Sequence, residues 1–255
     1  VFIALTREVS PNLGRCELTH LQRQTIDLAI ARAQHRNYED CLSRLGYEIH
    51  HVPAAPDLPD SVFVEDTCVV FPHMAVVTWP GADSRKVETA AVADVMRQFR
   101  PLRFIRAPAT LDGGDVLCVG KRVFVGLSNR TNSAGVAQLQ FYVAAQGYTV
   151  VPVRVAGCLH LKSAATAVAE STILVNPAWI DANVFADLTK IEVDPSEVLA
   201  ANALLARGIV VYPNAFPRTR KRLEERGIAV ETVDVSELAK AEGGVTCCSL
   251  LFEAE

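Results

Sequence analysis

Two cysteines, Cys247 and Cys248, stand side by side near the end of the chain, behind Gly243-Gly244. A thiolate is a strong nucleophile near neutral pH, and a cysteine acts as one when the fold brings a histidine to it. On a strand the two thiols would face opposite sides, so that one could reach a site while the other packs away. His160, in Cys158-Leu159-His160-Leu161-Lys162-Ser163, is the candidate base. Set between leucines, it equally fits a satisfied core histidine. Glu65 and Asp66 lie between two apolar segments, Val62-Phe63-Val64 and Cys68-Val69-Val70-Phe71. Charges are rarely buried unless paired, so these acids are either a solvated strand end or a carboxylate pair that receives a cation. Thr110-Leu111-Asp112-Gly113-Gly114-Asp115 sets acids around two glycines. Their backbone lets another group approach closely, although a turn with solvated aspartates has the same composition.

These residues are far apart in sequence, so the fold must gather them. The apolar pattern predicts a strand at Phe2–Thr6, a loop over residues 8–22, a helix from Arg23 to Leu45 ended by Gly46, and a strand Tyr47–Pro53. A unit then recurs: strand, tight turn, strand, helix, strand. The first has Cys68–Phe71, Ala75–Trp79, a helix Ser84–Phe99 with Ser84 as N-cap, and Leu102–Ala107. The second has Val116–Val119, Val123–Leu127, a helix from Thr131 or Asn132 to Gln146, and Tyr148–Val155. The third has Lys162–Val168, Thr172–Val175, a short helix near Asp181–Ala186, and Lys190–Val193. The fourth has Asn202–Leu205, Ile209–Tyr212, a helix Pro217–Arg226, and Ile228–Val235. A repeat of roughly 40–50 residues suggests a propeller or solenoid. The orphan strand Val245–Phe252, set beside Phe2–Thr6, completes a fifth unit and hides both open edges. An ordinary two-domain α/β chain is the alternative. In a closed ring Asp66, Asp115, His160 and Cys247 stand at or just before the first strands of successive units and would converge on one axis.

Composition narrows the function. The sequence has 255 residues, half of them apolar and 21% charged, with a net charge of −4. That argues for a folded chain with no basic groove for nucleic acid and no polybasic membrane patch. No apolar run approaches the ~20 residues of a membrane span. Val1 to Arg7 reads as a strand opening and not as a signal peptide. Seven cysteines, an odd number without zinc-like spacing, fit free thiols in a reducing cytosol.

The segments PDSVFVED, PGADSRK, TLDGGDVLCVG, FVGLSNRTN, CLHLKS and GGVTCCS, in that order, resemble the dimethylarginine dimethylaminohydrolases of the guanidine-modifying (pentein) superfamily. The resemblance runs from about residue 3 to residue 252. It implies an α/β fold, a closed five-bladed propeller of ββαβ units in one domain over residues 1–255. It implies hydrolysis of Nω-methylated arginines to citrulline and a methylamine, with no metal and no cofactor, in the cytoplasm. The small-molecule substrate is the one partner implied, and family members vary in oligomeric state, which leaves a homodimer open. Residue by residue, Cys247 matches the nucleophile, His160 the acid and base, and Asp112 the acid that orients it. Glu65 and Asp66 match the guanidinium site. Arg85 and Arg130 match the carboxylate-binding arginines, for which a planar, bidentate fork is suited. Asp60 matches the partner of the α-amino group, and Phe63 the residue on the aliphatic stem. Leu18 falls in the lid, Ser163 near the leaving group, and Ala241 and Glu242 in the wall of the substrate site. Three rival readings stand beside this one: an arginine or agmatine deiminase, a non-catalytic methylarginine binder, and a metal site at Cys247, Cys248 and His160.

Overall fold

The computed structural model describes residues 1–254 and shows five three-stranded sheets set as blades. Blade one draws on both ends of the chain: β1 (Phe2–Thr6), α1 (Leu28–Arg44) and β2 (Glu48–His51), with β15 (Leu250–Glu253) from the far end. Blade two has β3 (Cys68–Phe71), β4 (Met74–Val77), α2 (Thr89–Met96) and β5 (Leu102–Phe104). Blade three has β6 (Val116–Val119), β7 (Arg122–Leu127), α3 (Ser133–Val143) and β8 (Thr149–Arg154). Blade four has a helical turn α4 (Leu161–Ala164), then β9 (Ala165–Ala169), β10 (Thr172–Val175) and β11 (Thr189–Glu192). Blade five has β12 (Leu204–Ala206), β13 (Ile209–Pro213), α5 (Pro217–Glu224) and β14 (Val230–Val233), followed by a turn α6 (Ser236–Ala239). In each blade the first two strands pair antiparallel and the third runs parallel to the middle one. The pairing of Ile3 with Phe252 and Leu5 with Leu250 closes the ring, as the orphan strand required.

The middle strands explain why the blades stack. Residues alternate between faces along a strand, and here both faces are apolar. On β7, Val123 and Val125 enter the cluster shared with blade two, while Phe124 enters the cluster shared with blade four. On β13, Val210 and Tyr212 face blade four and Val211 faces blade one. On β1, Ala4 faces blade five, and Ile3 and Leu5 face blade two. Of these nine strand residues all but Ile3 are fully buried, and Ile3 is 3% exposed. Burying a side chain such as Val or Leu contributes about 1.5–3 kcal/mol, so every blade depends on both neighbours.

Local chemistry sets several boundaries apart from the periodicity. Helix α1 starts at Leu28, because the Asp27 side chain accepts from Ala29 N and Ile30 N, and Arg23 donates instead to Gly14 O and Cys16 O. The expected Ser84–Phe99 helix is divided into a 3₁₀ segment Asp83–Glu88 and then α2. Ser84 does not cap it but donates to Glu17 Oε1 at 2.6 Å. The short helix near residue 181 is only a 3₁₀ turn, Ala182–Phe185. Residues 245–248 form a turn, and the strand begins at Leu250.

Candidate active site

The segments preceding the innermost strands meet on the axis. They are the 3₁₀ turn Val64–Thr67 before β3, the turn Gly113–Asp115 before β6, His160 at the head of α4, and the turn preceding β15 that carries Cys247. Backbone bonds lock them together. Glu65 N donates to Cys247 O at 3.1 Å, and Gly114 N donates to Asp66 Oδ1 at 3.0 Å. The glycines at 113 and 114 are steric requirements. A Cβ on Gly113 would lie 1.9 Å from Glu65 O, and one on Gly114 would lie 2.6 Å from His160 Nδ1.

His160 is buried against three carboxylates. Its Nε2 is 3.0 Å from Asp112 Oδ2, and its Nδ1 is 3.8 Å from Asp66 Oδ1. Asp112 is wholly buried and is itself held by Gly81 N, which donates to Oδ1 at 2.9 Å. Burial alone would lower the imidazole pKa, but Asp66, Asp112 and Asp115 outweigh it and raise it to about 9. Asp66 is pushed up by burial and down by His160 and Arg85, and it settles at about 2. Asp115, which accepts from Ser128 Oγ at 2.6 Å and Leu161 N at 2.9 Å, is raised to about 6 by burial.

Cys247 is in a different condition. Its sulfur receives Gly244 N–H at 3.3 Å. Burial, Glu65 and Asp66 together push the thiol up to about 12. Cys248 points away from the axis. It is 1% exposed, packs with Tyr38 and Val245 in the cluster between blades five and one, and its thiol is also raised. The thiols therefore diverge as expected, but through a turn and not through strand alternation.

Two cavities meet at this pair. One is small, about 20 Å³, lined by Glu17, Asp60, Phe63, Asp66, Arg85 and Arg130, with Ala241, Glu242, His160 and Cys247 on its other side. The second is about 380 Å³ and includes Glu65, His160, Lys162, Ser163 and Cys247. Lys162 Nζ, 2.6 Å from Glu65 Oε1, forms its floor; a further cavity of about 310 Å³ lies on the other side of that pair, among the inner strands. Leu18 lines neither of the first two cavities. It packs on the blade-one cluster in the loop whose neighbours Glu17, His20 and Leu21 do line them.

Several expected roles change in detail. Glu65 and Asp66 are not an uncompensated acidic pair, since Lys162 and Arg85 each neutralise one of them. Arg85 is no open bidentate fork. Its Nη1 lies 2.5 Å from Asp66, and its Nη2 donates to Glu88 Oε2 at 2.8 Å and to Phe63 O at 3.0 Å. Only a second Nη1 hydrogen is left for a ligand. Arg130, whose Nη2 donates to Thr19 Oγ1 at 3.1 Å, has more of its fork available. The Glu242 carboxylate is occupied as well, accepting from the backbone N–H groups of Thr19, His20 and Leu21. It latches the covering loop from a left-handed backbone conformation with φ of 58°, a strain of about 1–2 kcal/mol for a residue with a Cβ.

The supporting side chains were not singled out by sequence. Asn202 Nδ2 donates to Thr246 Oγ1 at 3.0 Å and to Lys162 O at 3.1 Å. Thr246 Oγ1 donates onward to Glu65 Oε2 at 2.8 Å. Tyr38, on α1, donates to Val245 O at 2.9 Å and meets Ser249 Oγ at 2.7 Å, bracketing the cysteine turn. Asp66, Asp112 and His160 offer ligand-type atoms within 4.8 Å of one another, a grouping that contains neither thiol. Both of its carboxylates already receive N–H donors, from Arg85, Gly114 and Gly81.

Five such blades closed about an axis that carries these groups define a pentein-type α/β propeller. The N-terminal domain of ArgZ, an arginine dihydrolase from cyanobacteria, shares that fold, with a TM-score of 0.88 at 17% identity over 98% of this chain and 97% of that one. Closer likenesses identify the family. The family model described as N,N dimethylarginine dimethylhydrolase, eukaryotic, matches residues 16–194. The N(G),N(G)-dimethylarginine dimethylaminohydrolase of Streptomyces coelicolor is 39% identical over 249 residues, covering 97% of this chain and 95% of that protein. The Pseudomonas aeruginosa enzyme, solved as a Cys-to-Ser mutant complexed with citrulline, superposes with a TM-score of 0.93 at 32% identity, covering 98% of each chain. The chain belongs to the dimethylarginine dimethylaminohydrolase family, and it is a hydrolase.

Proposed function

We propose that the enzyme hydrolyses Nω,Nω-dimethyl-L-arginine and Nω-monomethyl-L-arginine to L-citrulline and dimethylamine or methylamine. The observation that carries this reading is a buried histidine, 3.0 Å from Asp112 and 3.8 Å from Asp66, that lines the same two cavities as Cys247; the acids push the imidazole pKa up, and burial pushes the thiol up as well. A guanidinium docked beside Asp66 and Glu65 brings the positive charge that the thiol lacks, since a nearby cation lowers a thiol pKa. Cys247 then gives its proton to solvent and, as the thiolate, attacks the central guanidinium carbon. His160, as imidazolium, protonates the departing amine, which leaves poorly as an anion. Asp112 accepts from Nε2–H and fixes the ring. An S-alkylthiouronium intermediate remains. His160 takes a proton from water, which attacks the same carbon, and the C–S bond breaks to release citrulline and the thiol.

The amino-acid end of the substrate meets the residues that line the smaller cavity, which at about 20 Å³ must widen to admit it. Arg130, with one hydrogen from Arg85, meets its carboxylate, Asp60 meets the ammonium, and Phe63 covers the stem. Ala241 and the backbone at Glu242 close the wall, Leu18 belongs to the loop above, and Ser163 stands on the leaving-group side. The citrulline complex of the Pseudomonas relative supports this product. An amino-acid cavity favours arginine derivatives over agmatine, which has no carboxylate. The test is a product assay on asymmetric dimethylarginine, arginine and agmatine in parallel. Dimethylamine and citrulline from the first are expected. Ammonia from arginine or agmatine at a comparable rate would instead make the enzyme a deiminase, and no turnover of any would leave a binder.

A further inference from the structure

The larger cavity has far more room than two methyl groups need. It begins at Cys247 and His160 and continues outward between blades four and five for about 380 Å³, within the range of pockets that hold whole small ligands. Its outer wall is mostly apolar, with Leu159, Trp179, Val198, Leu199, Phe216 and Val235 set beside the uncharged polar Asn214 and Ser236. Val198 and Leu199 are 51% and 50% exposed, two large apolar side chains adjacent at its edge. Contiguous exposed apolar patches can mark ligand grooves, and these two side chains carry the apolar wall out to the surface. The charged groups of the cavity lie at its inner end, where Lys162 and Glu65 neutralise each other, or are latched to the loop, as Glu242 is.

The direction of this space matters. Asp60, Arg85 and Arg130, which gather the amino-acid end in the proposed function, line the small cavity and not the large one. His160 and Cys247 stand between the two. A substrate anchored on the small side therefore directs its Nω-substituents toward the large side.

We propose that this apolar cavity is a binding site for Nω-substituents longer than methyl, so that the enzyme also hydrolyses Nω-alkyl and Nω-aralkyl arginines. The inference rests on the reaction proposed above. The chemistry is unchanged: the Cys247 S–C bond forms, the C–N bond to the alkylamine breaks as His160 gives that nitrogen a proton, and water then displaces the sulfur to give citrulline. Water is the sole co-reactant. An added methylene in an apolar pocket alters discrimination by roughly 10–200-fold, so a chain that follows this wall gains binding and a polar one does not.

The test compares Nω,Nω-dimethyl-, Nω-butyl- and Nω-(2-carboxyethyl)-L-arginine with the whole enzyme, reading citrulline and the released amine. The butyl compound is expected to be hydrolysed with kcat/KM within about tenfold of the dimethyl compound, and the carboxyethyl compound at least about 100-fold more slowly. Leu199→Asp, at a half-exposed position with no part in the proposed chemistry, is expected to lower kcat/KM for the butyl compound at least tenfold and to leave the dimethyl value within about twofold. Val198→Asp serves as a second variant should the first fail to fold. If dimethylarginine is hydrolysed while the butyl compound is not, whether or not it competes, the inference is overturned and the proposed function stands. If Leu199→Asp lowers both substrates alike, the cavity is not where the substituent lies. If dimethylarginine itself is inert, it is the proposed function that fails.

Discussion

The histidine side and the cysteine side of the pocket share one acid, Asp66, and its charge raises both pKa values with opposite consequences for the charge of the two groups. On blades two to four, Asp66, Asp112 and Asp115 hold His160 protonated, with its pKa at about 9. At the turn before β15, burial, with Glu65 and then Asp66, pushes the Cys247 thiol up to about 12 and so keeps it protonated. Negative charge favours a proton on either group; it creates a cation at an imidazole and forbids an anion at a thiol. In the reaction proposed above, the acid is thus prepared before substrate arrives, while the nucleophile waits for a cation. A guanidinium, which cannot lose its proton near neutral pH, is the ligand that would correct this asymmetry under that proposal.

The strongest test of the comparison separates the two thiols. Cys247→Ser is expected to reduce kcat at least about 1000-fold, because residues that act as one unit lose nearly everything when one is removed. Cys248→Ser, in a cluster behind the turn, should stay within about tenfold. Its cost falls mainly on stability, since a hydroxyl there loses the apolar packing of sulfur. Equal losses in steady-state turnover would show that the nucleophile has been misassigned.

Glu65→Gln probes the asymmetry more finely, because Glu65 bears on Cys247 but is not among the acids acting on His160. Removing this carboxylate also leaves Lys162 facing the sulfur without its partner. The thiol pKa should fall, and a fall of one unit gives about tenfold more thiolate. Alkylation of the resting enzyme by iodoacetamide at pH 8 should therefore accelerate by about that factor, while kcat/KM for dimethylarginine drops roughly tenfold or more as the cation loses a carboxylate. The alkaline limb of kcat should not move. In the proposed mechanism the imidazolium is the proton donor and is lost as pH rises through about 9, so activity is expected to fall there in both parent and variant. A variant with unaltered alkylation would remove Glu65 from the account of the thiol.

The legibility of this site in the sequence follows the range of each interaction. Hairpin units declared themselves through local signals such as Arg207-Gly208, where both residues adopt positive φ of 50° and 84° and join β12 to β13 in two residues. Ring closure followed from one unpaired strand at each end, and the converging positions of Asp66, Asp115, His160 and Cys247 followed from the repeat. The functional assignment of Arg130, Asp60 and Asp112 came from family motifs, because nothing in their spacing names a substrate. What local pattern could not show was partner choice. Arg85 and Ser84 sit on a helical stretch, yet one is bound to Asp66 and the other to Glu17. Gly243-Gly244 lies before a stretch that alternates like a strand, yet Asn202 packs against Gly244 and holds Thr246, so that a turn forms there. Tyr38 precedes Val245 by 207 residues, and no local pattern connects them.

That last contact defines the smallest effect and the sharpest contrast. Tyr38 lines none of the cavities described and touches the chemistry only through the backbone of the cysteine turn. Tyr38→Phe keeps the ring in its cluster and removes the hydroxyl, leaving Val245 O and Ser249 Oγ without this partner. A buried hydrogen bond contributes about 1 ± 0.5 kcal/mol, and stranded acceptors cost about 1–3 kcal/mol, so a modest fall in stability is expected. A purely structural tyrosine would lower Tm and leave the remaining folded enzyme normal. A tyrosine that sets the sulfur's position should lower kcat several-fold at a temperature where the variant is fully folded, with KM unchanged, because the small cavity on blades one to three is untouched. The histidine side should also keep its alkaline limb near pH 9. A fall in KM-dependent binding with kcat preserved would instead tie Tyr38 to the covering loop and not to the nucleophile.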